Sequence, residues 1–181
     1  GAQSFLTLML VEARGLDAVI TGVTLTVGSV GWMAGALLQT QSWLRWRRDQ
    51  MIVVGVTGIT VGVAVLAVAA WFPQSWLGLV MISWIIAGFG MGLQNPSTSL
   101  AVMQLSDDAE LGRNTSSLQV GESLGSSLFT GLAGAWFAHF HEIADLSFTF
   151  GGLMVGMVFV GLIAVLVANR IGPVPTGVGE D

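Results

Sequence analysis

Long apolar runs without a single charged residue dominate this sequence. The clearest covers residues 51–72, which contain no Asp, Glu, Lys or Arg. A helix of about 20 apolar residues crosses a hydrocarbon core of roughly 30 Å. Charged residues make up only 9% of the chain, too few to cover the surface of a water-soluble globule, where about 25% is usual. The sequence therefore excludes an ordinary soluble enzyme and indicates a membrane protein.

The apolar runs predict an all-α, polytopic transmembrane helix bundle over residues 1–169. Residues 1–13 are apolar but too short to cross a bilayer, and we interpret them as the second half of a helix whose beginning is missing. Residues 170–181, with two prolines and three glycines, are expected to form a disordered cytoplasmic tail. Five complete spans are expected between these segments, at about 18–41, 51–72, 77–105, 115–140 and 146–168.

The arginines predict how the bundle is oriented. All six basic residues are arginine. Only Arg14 falls on one side of the predicted membrane; the other side holds Arg45, Arg47, Arg48, Arg113 and Arg170. Because positive charge is retained in the cytoplasm, we expect a multi-pass protein of the plasma (inner) membrane with a cytoplasmic C-terminus.

The net charge and the residue types exclude several kinds of chemistry. A net charge of −5 and the lack of an arginine stripe argue against nucleic acid as a partner. With no cysteine there is no thiolate site. His139, His141, Glu142 and Asp145 fall in a short loop, where a solvated turn is favoured over a metal site. We expect no metal and no cofactor.

Small residues four apart predict close helix packing, because helices in lipid associate where their backbones can approach. Each complete span carries one such pair of glycines, and the arrangement suits either a tightly packed bundle or one whose helices rock against each other. The pairs are Gly31 and Gly35, Gly58 and Gly62, Gly88 and Gly92, Gly121 and Gly125, and Gly152 and Gly156.

Pro96 predicts a kink in the third span, since it cannot donate a hydrogen bond to the Gly92 carbonyl. Gln94 and Asn95 precede it, and amides at membrane depth should face the interior of the bundle. Two interpretations remain open: these amides line a polar cavity, or they cap the broken backbone.

Glu122 is the only acid within a predicted span. A carboxyl group at membrane depth is a candidate for taking up and releasing a proton. The alternative is that Glu122 reaches toward the headgroups and Arg113. Gln119, on the same predicted helix, is a further candidate for a substrate or proton pathway.

One enzyme motif is present, because residues 121–125 match the G-x-S-x-G nucleophile pattern. That motif requires a strand-to-helix elbow, whereas here it lies within an apolar helix. His139 would lie about 24 Å from Ser123 along such a helix, at 1.5 Å per residue. We therefore do not expect an enzyme.

The order of these features resembles the C-terminal half of a major facilitator superfamily transporter, from the end of its seventh helix to its twelfth. The resemblance rests on four stretches: residues 12–17 as an outer turn, 35–48 with its basic inner loop, 88–96 in the tenth helix, and 117–134 in the eleventh. One departure is that Gln39, Thr40 and Gln41 stand where part of an Asp-Arg latch is expected. Only the cluster Arg45, Arg47 and Arg48 remains of it.

The resemblance implies a carrier that works by alternating access between two six-helix halves, with its site near the membrane midplane. We expect a fragment of a secondary active transporter for proton-coupled export of small organic molecules, similar to bacterial drug/proton antiporters. Its partners would be the lipid bilayer, the missing N-terminal half, a small-molecule substrate and protons. The alternative is a complete small membrane protein that acts as an oligomeric interaction or assembly partner without transport.

Overall fold

The computed structural model describes residues 2–41, 43–72 and 74–174, and every regular element among them is a helix. The expected all-α class is confirmed. α1 is short and continues into one π-helical turn, Met9–Ala13, while the other five helices are long. The helices are α1 Ala2–Leu8, α2 Ala18–Leu38, α3 Arg48–Trp71, α4 Leu77–Leu105, α5 Leu111–Phe140 and α6 Leu146–Ala168.

Four of these helices, α2, α3, α4 and α6, are long and apolar enough to cross a membrane, which indicates a multi-pass membrane protein. The fifth expected span forms α5, a helix of 30 residues, but α5 is not among the four. Serine, threonine and glutamine residues together with Glu122 lower the apolar content of its first two thirds. The expectation of five complete spans is therefore not confirmed, whereas four candidate spans are present.

α4 is the central helix, and it packs between α2 and α3. On the α2 side, a Cβ atom at Gly92 would overlap the carbonyl oxygen of Trp32, and one at Gly35 would overlap that of Phe89. On the α3 side, a Cβ atom at Gly62 would lie 2.7 Å from the backbone nitrogen of Ala87. Glycine at these positions lets the helix backbones touch, which is how helices gain packing energy in lipid.

α6 packs against α3, and the π-helical turn Met9–Ala13 contacts α6. Leu6 and Leu10 of the first helical segment and Phe150 of α6 are completely shielded from solvent in one apolar cluster. Leu66 of α3 lies in the same cluster and is 1% exposed. The first helical segment is therefore an integral part of the fold.

Arg14 ties the first segment to the end of α3. Its guanidinium donates to the carbonyl oxygens of Ala69 (2.8 Å) and Ser75 (2.9 Å) and to the Ser75 hydroxyl (2.8 Å). A cation at a helix C-terminus satisfies carbonyls that have no partner within the helix. Partial burial lowers the pKa of Arg14 from its ordinary value.

At the opposite end of the bundle, a loop holding Arg45 and Arg47 leads into α3, and we call this end the arginine end. Of the expected disordered tail, residues 170–174 are described, and Val174 is 1% exposed there. Residues 175–181 lie outside the described residues.

Candidate functional site

α4 is one continuous helix through Pro96, but its pattern of backbone hydrogen bonds is interrupted there, and a side chain from the end of α2 supplies the missing donor. Because Pro96 has no N–H group, the Gly92 carbonyl lacks its helical donor. The Gln39 side-chain amide donates to this carbonyl at 3.0 Å. The buried Ser97 hydroxyl in turn donates to Oε1 of Gln39 at 3.2 Å. Gln39 therefore caps the interruption with the NH₂ group of its amide, while the amide oxygen is held by the next turn of α4.

Gln94 and Asn95, the two expected polar residues of α4, do not fill this capping role. The Gln94 side-chain amide donates to the Thr98 hydroxyl at 3.0 Å. At Asn95 it is the backbone carbonyl that accepts a hydrogen bond, from the Ser99 hydroxyl at 3.3 Å. Both side chains are half-buried. The Gly92 carbonyl is thus capped by Gln39 and not by Gln94 or Asn95. The other interpretation, that Gln94 and Asn95 line a polar cavity, stays a prediction.

The capping role of Gln39 was not predicted from the sequence, because its partner carbonyl lies 53 positions along the chain. The only local signal was a glutamine just after the last apolar turn of α2. That position departs from the expected latch, and the departure does not indicate a contact with α4.

α5 differs from the other long helices because most of its residues are exposed. From position 119 to position 132 every residue except Gly125 is exposed. Ala133 is the one buried residue that α5 has among the described residues. A Cβ atom built on Gly121 or Gly125 would have no neighbour within 4 Å. The glycines expected to pack α5 are therefore uncovered.

Contacts at its two ends hold α5 in place. At the arginine end, the Asn114 amide donates to the Ser106 hydroxyl at 2.9 Å. At the far end, the Trp136 indole donates to the Thr149 carbonyl at 3.0 Å, and its ring lies 4.3 Å from that of Phe140. Between these ties, α5 and α6 border an apolar groove of about 260 Å³ lined by Phe129, Leu132, Gly152, Met157 and their neighbours.

The exposed part of α5 has two chemically different faces. Polar side chains recur every three or four positions and so share one face of the helix: Gln119, Glu122, Ser123, Ser126 and Thr130. The opposite face is apolar and includes Gly121, Leu124, Leu128 and Leu132. We call the first set the polar stripe of α5.

Glu122 lies in the polar stripe with its side chain exposed. The Arg113 guanidinium, its alternative partner, pairs instead with Glu110 at 2.8 Å. Within the described part of the chain, no hydrogen bond or ion pair involves the Glu122 side chain, and none joins Glu122 or Gln119 to Gln94 or Asn95. The four candidate pathway residues thus form two groups, one on α4 and one on α5.

The G-x-S-x-G pattern lies within the unbroken helix α5, so Ser123 does not sit on a strand-to-helix turn. In the following loop, the ring of His141 stacks on Phe137 with 5.1 Å between centroids. Asp145 caps α6 by accepting from the Phe148 backbone at 2.6 Å. Among the residues with described positions, no three His, Asp or Glu side chains form a group that could hold a metal ion.

The arginine cluster contains one ordered ion pair. Nε and Nη2 of Arg47 contact the two carboxylate oxygens of Asp49 at 3.0 and 2.6 Å. This hydrogen-bonded pair raises the pKa of Arg47 above its ordinary value. Arg48, the neighbouring member of the cluster, has a buried Nε atom without a hydrogen-bond partner among the described residues.

The chain was compared with models of protein families, with curated proteins and with solved structures, and none of them matches it.

Proposed function

We propose that this chain is one helical half of a secondary active transporter, with the polar stripe of α5 lining an aqueous path. The observation that carries the proposal is the polar stripe itself, with Glu122 in it and no other described helix against it. Polar side chains are costly against lipid and are normally found facing a bundle interior or a water-filled cavity. A second helical unit opposite α5 would enclose such a cavity.

The features of α4 support the same proposal. Half-buried amides at Gln94 and Asn95 adjoin Pro96 within the continuous helix α4, and polar side chains inside membrane-spanning helices often mark substrate or ion pathways. The resemblance to the major facilitator superfamily implies what this second unit would be: an N-terminal half of six helices. It also suggests alternating access and proton-coupled export of small organic molecules, with the arginine end and the C-terminus in the cytoplasm of an inner membrane.

The first test uses the absence of cysteine from the chain, which permits labelling of single introduced cysteines without background. Cysteines replacing Ser123 or Ser126 on the polar stripe should react with a hydrophilic maleimide in membranes that contain the full-length protein. The matched substitutions Leu124→Cys and Leu128→Cys, on the opposite face, should react at least tenfold more slowly. Equal labelling of the two faces would contradict an aqueous path along α5.

The second test concerns proton coupling. Glu122→Gln should abolish proton-gradient-driven efflux by the full-length protein while membrane insertion stays normal, because the glutamine cannot exchange a proton. Glu142→Gln, which removes an exposed loop carboxylate, is the control and should leave efflux unchanged. If the pH dependence of efflux is the same in Glu122→Gln, Glu122 has no part in the mechanism.

A further inference from the structure

The chain that leaves α6 turns back onto the first turn of α3. The backbone N–H of Val174 donates to Oδ1 of Asp49 at 3.0 Å. The Val174 carbonyl accepts from the backbone N–H of Arg48, also at 3.0 Å. The first N–H groups of a helix have no partner within the helix. Residues from the far end of the chain thus cap α3.

The Val174 side chain anchors the same contact. It is 1% exposed and packs with Ile52 of α3, Ala101 of α4 and Ala168 of α6 in a small apolar cluster separate from the main core. The contact therefore combines two hydrogen bonds from the Val174 backbone with a buried apolar side chain. It joins the ends of three helices at the arginine end.

Arg47 acts on this contact through Asp49. Its guanidinium binds both carboxylate oxygens, and its backbone N–H donates to the Gln50 side chain at 3.0 Å. The carboxylate is thereby fixed with Oδ1 directed at Val174. Bidentate arginine–carboxylate pairs restrict geometry as well as adding energy. Arg47 is a positioning residue for the contact.

We propose that residues 171–174 form a strap that locks the end of α6 to the start of α3, with the Arg47–Asp49 pair as its fastening. While the strap is closed, α3 and α6 move as one unit at the arginine end. When the fastening is broken, residues 171–174 leave α3 and the two helix ends separate. A cleft of about 390 Å³ lies between these ends, lined by Trp46, Asp49, Gln50, Asn169 and their neighbours, and it widens on release. This proposal does not depend on the transport function.

Amide hydrogen exchange of the full chain in lipid nanodiscs tests the fastening, because the exchange rate of the Val174 amide reports whether its hydrogen bond to Asp49 is closed. Pro173 has no N–H group, so residues 171–174 carry only three amides, and Val174 carries one of them. In the unmodified protein the Val174 amide should exchange at least tenfold more slowly than an unstructured peptide. Asp49→Ala should remove that protection, and Arg47→Gln should reduce it in part. Asp108→Ala, which removes an exposed acid at the same end, should leave it unchanged.

A second variant keeps the test decisive if Asp49→Ala fails to fold. Val174→Asp places a carboxylate next to Asp49 in a buried site and leaves the sequence of α3 intact, so it should release the strap. Spin labels at positions 54 and 170 should then show a broadened distance distribution, compared with a narrow one in the unmodified protein. Fast exchange of Val174 in the unmodified protein, or a narrow distribution in Val174→Asp, would overturn the proposal.

Discussion

α4 and α5 are the two longest helices, with 29 and 30 residues, and both carry glycines four apart and polar residues among apolar ones. In α4, Gly88, Gly90 and Gly92 all meet the backbone of a neighbouring helix. In α5, a Cβ atom added to Gly121 or Gly125 would meet no other helix within 4 Å. The same spacing thus accompanies tight packing in one helix and an uncovered surface in the other. Glycine spacing shows that a helix can be approached closely, but it does not show which helix approaches it.

The largest effect is expected where α2 meets α4. Gly35→Ala would drive a methyl group into the Phe89 carbonyl, and since neither backbone can yield locally, the two helices must separate. Overpacking of this kind costs about 1–3 kcal/mol, and we expect a value near the upper limit. The measurement is the free energy of unfolding in detergent, with tryptophan fluorescence as the signal that monitors unfolding.

Gly22→Ala, in the same helix, is the matched control because Gly22 has open space around it. It should leave the stability unchanged or raise it by up to about 1 kcal/mol through helix propensity. Equal losses in the two variants would mean that the contact between α2 and α4 contributes nothing particular to stability.

The next effect concerns the interruption in α4. Gln39→Ala removes the donor to the Gly92 carbonyl, and an unsatisfied buried carbonyl costs about 1–3 kcal/mol. In a Pro96→Ala background the backbone N–H gained at position 96 can serve that carbonyl, so Gln39→Ala should then cost less than half as much. A double-mutant cycle of unfolding free energies measures the coupling. Strict additivity would show that Gln39 and Pro96 are unrelated.

A smaller effect is expected at the end of α5. Trp136→Phe keeps an aromatic ring near Phe140 but loses the hydrogen bond to the Thr149 carbonyl. The loss should be about 1 kcal/mol, with faster amide exchange over residues 129–140. Trp43→Phe, at a position 68% exposed, is the control. If amide exchange in α5 does not change, the indole hydrogen bond does not help to hold this helix.

No loss of stability is expected at the uncovered glycines, because the methyl groups added by Gly121→Ala and Gly125→Ala meet nothing. Both variants should leave the unfolding free energy of this chain unchanged or raise it by up to about 1 kcal/mol through helix propensity. A destabilisation of about 2 kcal/mol or more, of the size given for overpacking, would show that α5 is covered in solution. The contrast with α4 would then disappear.

Several features of the fold could be predicted from the sequence because they follow from local composition. Apolar length identifies the four candidate spans, and Pro96 identifies the interrupted carbonyl. α5 was the exception, since the rarity of charge in residues 115–140 suggested a complete span while the many hydroxyl side chains lowered the hydropathy. Counting charges alone therefore overestimated how apolar the segment is.

The missed parts of the candidate site are contacts between distant residues. Gln39 reaches Gly92 across 53 positions, and Val174 reaches Asp49 across 125. Neither contact has a local pattern: one uses a single side-chain amide, and the other uses the backbone N–H of Val174, a group that every residue except proline possesses. Composition predicts a disordered tail over residues 170–181, and it cannot show that Val174, a residue without regular structure, is held by α3.

The central position of α4 also has a consequence for synthesis. α2 and α3 both make their extensive contacts with α4, which leaves the ribosome after them. Until residue 105 has been translated, the glycine faces of the two earlier helices lack the surface they fit. Nascent chains arrested before α4 should therefore be the ones that quality-control proteases recognise, and chains arrested just after α4 should already resist them.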